Sequence, residues 1–157
     1  MNIDDLHFVN AGNSSFIAAS EDIFNGNPST DVMSLENHAD VYFVIQKNAG
    51  ATGTATITIG SCDDTTPTTA TAVAFEYKAC TSGDTWGSWT AATSSGFTTT
   101  AGANQMYLIH VKGSDLHSTI MFVRLTATEV VDSPCDGAII AFLANPRYAP
   151  TPATVLS

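Results

Sequence analysis

Hydrophobic and polar residues alternate along this chain in short blocks rather than in helical turns. Thr54 to Ile59 (TATITI) alternates with period two, which sends threonines to one side of a strand and mostly apolar residues to the other. Val41 to Gln46 (VYFVIQ) is nearly continuous in its apolar character and predicts a strand covered on both faces. Between the two, KNAGATG reads as a glycine-bearing hairpin loop. Further strands are expected over AVAFEYKA (Ala72 to Ala79), TWGSWTA (Thr85 to Ala91), Met106 to Gly113, Ile120 to Ala127 and Gly137 to Ala144. Short strands with turn residues between them and no 3.6-residue period predict an all-β chain. The expected form is an antiparallel β-sandwich or jelly roll of about seven to eight strands.

The ends differ from the middle. Residues 1–39 read as an irregular N-terminal arm and edge, with an apolar patch at Phe16 to Ala19 and strong turn signals at Asn25-Gly26 and Asn27-Pro28. Residues 40–145 form the expected sandwich domain. Residues 146–157 are an extended, proline-containing C-terminal tail. Segments like these need a sheet or a partner for support, because few of their residues can build a core. Phe16, Ile17, Ile23 and Phe24 in the arm and Arg147 and Tyr148 in the tail are therefore the candidate interface residues.

Two tryptophans, the only two in the chain, stand three residues apart in TWGSWT. With TSGD (Thr81 to Asp84) as the connecting loop, direct hairpin pairing sets Ala79 opposite Trp86, Tyr77 opposite Ser88 and Glu76 opposite Trp89. That register sends Trp86 to the face of Phe75 and Tyr77, making these three the expected core anchors. Trp89 falls with Glu76, Lys78 and Cys80, open to a partner or to the stem of Lys78. The indoles then share no face and cannot stack one flat ligand together, unless Gly87 supports a bulge.

Composition narrows the function. A chain of 157 residues is one domain by size. Five basic against fifteen acidic side chains give a formal net charge of -10, whose field repels phosphate backbones and anionic lipid, so neither nucleic acid nor membrane is expected as a partner. No run approaches the length of a spanning helix, and no secretory leader is read at the N-terminus. Cys62, Cys80 and Cys135 are widely spaced and odd in number, as expected of buried thiols in a reduced compartment, with a single Cys62–Cys80 bridge left open should the protein end outside a cell.

Candidate chemistry is sparse. His7, His38, His110 and His117 are not at metal-ligand spacing, although His110 and His117 could converge across a hairpin with Asp115 between them. Asp4-Asp5 and Asp63-Asp64 lack the spaced oxygens of a calcium loop, and NPRY reads as an Asn-Pro turn ending the last strand. No nucleophile, base and orienting group assemble. The expectation is no enzyme, no metal and no cofactor.

The stretches DVMSLENHADVYFVIQ, GATGTATITI, VKGSDL, FVRLTATEVVDSP and DGAIIAFLANPRY, over about residues 30 to 148, resemble small virion proteins of tailed bacteriophages, in the class of head decoration or cement proteins. The resemblance implies a β-sandwich placed as homo-oligomers, trimers before dimers, on the outside of the head. There it would bridge neighbouring major capsid subunits after synthesis in the host cytoplasm. It brings no catalytic residue. A tail or fibre component, or a carbohydrate-binding β-sandwich using Trp89, are the alternatives.

Overall fold

The computed structural model of the chain describes residues 7–10, 22–48, 52–66, 69–116 and 121–147. Among them run eleven strands: β1 (His7–Asn10), β2 (Met33–Ser34), β3 (His38–Lys47), β4 (Thr54–Cys62), β5 (Ala70–Val73), β6 (Phe75–Cys80), β7 (Thr90–Ala92), β8 (Phe97–Thr98), β9 (Gln105–Lys112), β10 (Phe122–Val131) and β11 (Gly137–Pro146). They form two antiparallel sheets. One orders its strands β1-β11-β3-β9-β6-β7 and the other β2-β10-β4-β5, with β8 also paired to β4. The protein is an antiparallel β-sandwich, and the extra strands beyond the expected seven or eight are mostly pieces of two to four residues.

Alternation builds the core. In β3, Val41, Phe43 and Ile45 are buried while Tyr42 and Val44 between them are half-buried, so VYFVIQ has one fully covered face rather than two. β4 sends Ala55, Ile57 and Ile59 inward against Val123, Leu125 and Ala127 of β10 and Tyr107, Ile109 and Val111 of β9. Facing sheets that interdigitate such residues at interior packing density give the sandwich its cohesion.

Two expected connections are different. KNAGATG is not a hairpin: β3 and β4 lie in opposite sheets, so the chain passes from one sheet to the other between them. AVAFEYKA is not one strand either, because the chain leaves β5 in one sheet and enters β6 in the other around Ala74. A continuous apolar run hides such a crossing, since both halves need the same residues.

The stretch before Asp40 supplies more than an arm. β2 forms the edge of the smaller sheet. Upstream of it, Thr30 exchanges bonds with Leu125 (Thr30 N to Leu125 O, 2.9 Å; Leu125 N to Thr30 Oγ1, 3.1 Å), and the Ala127 N–H donates to Pro28 O at 2.9 Å. Phe24, Met33 and Leu35 enter the core, Phe24 with no exposed surface.

Candidate functional site

Strand register defines the outer face of the six-stranded sheet. Tyr42 of β3 pairs with His110 of β9, which pairs with Glu76 of β6; Val44, Leu108 and Lys78 form the next rank. Residues paired in this way project to the same side, here away from the core. The face thus carries one rank of rings and charge beside one that is mainly apolar.

The hairpin after β6 completes the face. Its ladder pairs Phe75 with Ala92, Glu76 with Ala91 and Tyr77 with Thr90, two residues out of the expected register. Thr85 to Trp89 make no regular ladder, and the Gly87 N–H donates to Ala79 O at 2.8 Å. This irregular passage turns Trp86 outward. Trp86 is therefore not a core anchor: it is 37% exposed and Trp89 44%. Lys78 Nζ lies 5.1 Å from the ring centre of Trp86 and 5.2 Å from that of Trp89, so both indoles stand on one face around one cation. The two other expected anchors lie inside. Phe75 is buried, and Tyr77 packs half-buried against the core with its ring stacked on Phe97 at 3.8 Å.

From Trp89 the row continues inward. The Trp89 ring tilts against His110 at 6.0 Å, and His110 stacks flat on Tyr42 at 4.4 Å. His110 Nε2 meets Asp40 Oδ1 at 3.1 Å, while Nδ1 faces Glu76 Oε2 at 3.8 Å. Lys112 Nζ is 3.9 Å from the same Glu76 carboxylate. Burial, then the charges of Asp40 and Glu76, push the Tyr42 hydroxyl above its ordinary pKa, so it stays a proton donor at neutral pH. The row Tyr42, His110, Trp89, Lys78 and Trp86 offers flat rings flanked by carboxylates and amines. Its chemistry is stacking, cation–π contact and hydrogen bonding, with each exposed cation–π contact contributing about 0.5–1 kcal/mol.

Past Asp40 the surface dips into a cleft of about 440 Å3, lined by Asp40, Lys112, Leu116, Met121 and Arg147 among others. Arg147 is fixed at its rim, where Nε donates to His38 O at 3.1 Å and the backbone N–H donates to Asn37 O at 2.8 Å. A separate apolar tip, Val130 and Val131, stands exposed after a bulge at the end of β10.

The other sequence candidates fall as follows. Phe24 is core and not an interface residue, and Ile23 is half-buried against the same cluster, its N–H donating to Cys135 O at 3.0 Å. Phe16, Ile17, Tyr148 and His117 lie outside the described residues. Cys62, Cys80 and Cys135 are buried free thiols. Among the described residues no group of three or more His, Cys, Asp or Glu side chains could hold a metal ion. Sequence reasoning missed Trp86 as a surface residue and the Tyr42–His110 stack; the signal for the first was Gly87, which lets the strand leave its ladder. No protein-family model, curated protein or solved structure matches the chain.

Proposed function

We propose that this chain is a structural virion protein, a decoration or cement protein that binds the outer surface of a phage head and stabilises contacts between major capsid subunits. The observation that carries the reading is the exposure of Trp86 and Trp89 together on one sheet face. Tryptophan is enriched where partners bind most strongly, because one ring buries a large area at low entropic cost. The resemblance of the strand segments to head decoration proteins supplies the finer identity, the capsid and sister copies as partners, and the outside of the head as the location. A trimer is favoured over a dimer.

The mechanism is mass action. A subunit that binds the assembled lattice and not the dissociated protein stabilises the lattice by its binding free energy, and repetition over the shell multiplies the effect. Co-sedimentation of the purified chain with expanded heads tests the reading: the native chain pellets with them. Trp86→Ala/Trp89→Ala loses about tenfold or more in affinity while keeping its β-sheet circular dichroism. Native protein that stays in the supernatant counts against the cement role, and full binding by the double variant counts against the patch.

A carbohydrate-binding role is the second reading, favoured by two co-facial indoles near the Glu76 and Asp40 carboxylates. Rings stack on the apolar face of a sugar, and carboxylates accept from its hydroxyls. Binding on a glycan array that vanishes in the same double variant would favour it over cement, and label at the tail in electron micrographs would favour a tail or fibre component.

A further inference from the structure

The cleft beyond Asp40 holds positive charge that the rest of the chain leaves unpaired. Fifteen acidic side chains outnumber five basic ones, yet Arg147 makes no ion pair with a carboxylate among the described residues. Backbone oxygens hold it instead: Nε donates to His38 O at 3.1 Å, and its own N–H donates to Asn37 O at 2.8 Å. The guanidinium passes over Gly113, where a Cβ would stand 2.8 Å from Nη2, and Nη2 lies 3.8 Å from Met121 Sδ, a weak acceptor. Glycine at position 113 therefore gives the guanidinium its place in the cleft. Lys112 stands in the same wall with an exposed side chain, and its ion pair with Glu76 is long, at 3.9 Å.

The carboxylate in the wall already has partners. Asp40 Oδ1 meets His110 Nε2 at 3.1 Å, and Oδ2 accepts from Asn145 Nδ2. Asp115, which follows the lining residue Ser114, faces the Ser114 hydroxyl at 3.4 Å. Arg147 and Lys112 are left as the charged donors of the cleft. A guanidinium fork matches the two oxygens of a carboxylate, and such charge-assisted bonds are roughly twice as strong as neutral ones. The other wall is apolar, made by Ala39, Leu116 and Met121, and the volume of about 440 Å3 is in the range of small-ligand pockets. A dianion fits less well, because Asp40 and Asp115 stand close by and the whole chain carries a formal charge of -10.

We propose that this cleft is a binding site for a monocarboxylate carried on an apolar stem. Arg147 and Lys112 take the carboxylate, while Leu116, Met121 and Ala39 cover the stem. Each half accounts for a feature that the sandwich itself does not require: a guanidinium without a carboxylate, and an apolar wall open to solvent beside it. The site is separate from the tryptophan row and does not rest on the capsid reading.

Titration of the labelled full chain with hexanoate, followed by proton–nitrogen correlation NMR at about 0.15 M salt, tests this. The expected result is saturable movement of the Gly113 and Leu116 amide signals and of the Arg147 Nε–H. Hexanol has the stem without the charge, glucuronate has the charge on a polar ring, and phosphate is the dianion; each should bind at least about tenfold more weakly than hexanoate. Arg147→Gln should lose about tenfold or more in hexanoate affinity. Because that variant also loses the bond to His38 O, the exposed Lys112→Gln provides a second arm, with an expected loss of about two- to fivefold. Hexanoate that moves none of these signals overturns the proposal, as does full affinity in Arg147→Gln. Equal binding of hexanol, or tighter binding of phosphate or glucuronate, overturns the assigned ligand class.

Discussion

Phe24 follows Asp22-Ile23 and precedes an Asn-Gly turn, yet it has no exposed surface and packs with Leu35, Met33 and the inner faces of both sheets. Removing its ring leaves a cavity that the surrounding strands cannot close. Phe24→Ala is expected to cost about 3–5 kcal/mol, read from the urea midpoint at unchanged m-value. The Cys135 thiol makes a second residue-scale prediction. Its pKa in the folded chain is raised from 9.0 to about 11, chiefly by burial, so between those values the folded state holds a proton that the unfolded state has released. The resulting stability is complete below pH 9 and is lost as pH rises through 11. It should be about 3 kcal/mol, visible as an alkaline fall in the native chain that is shallower by that amount in Cys135→Ala.

At the scale of elements, the hairpin between β6 and β7 decides what the tryptophans do. The sequence made the face of Trp89 legible, because simple parity relates it to Lys78. It could not do so for Trp86, because Gly87 lets the chain leave the ladder, and parity counts only where each residue advances the strand by one step. The same limit explains β5 and β6: alternation marks both strands, but nothing in AVAFEYKA says that they belong to different sheets. TATITI was fully legible, since its threonines and apolar residues divide between two faces. Phe24 was not, because a lone ring among turn residues has no period. Both indoles are expected to be quenched by iodide, and a blue-shifted, iodide-resistant component would contradict the hairpin described here. Gly96 supports the neighbouring pair β4–β8. It has φ +76°, and a Cβ there would lie 1.9 Å from Ile57 O. Gly96→Ala is therefore expected to cost about 2–4 kcal/mol in chemical denaturation through strain and clash.

For the whole molecule, the two sheets make a support, and in the proposed reading the outer face of the larger one makes the contact. The stacked Tyr42 and His110 back the Trp89 ring, and Lys78 Nζ lies close to both indoles, contacts that reduce the freedom the row would lose on binding a partner. Rings surrounded by charge suit a surface that stays soluble alone and is covered in an assembly. Immunogold electron microscopy of virions that carry this chain tests the central claim most directly. Gold regularly distributed over the head is the predicted result, and gold confined to the tail, or absent from the particles, would contradict it.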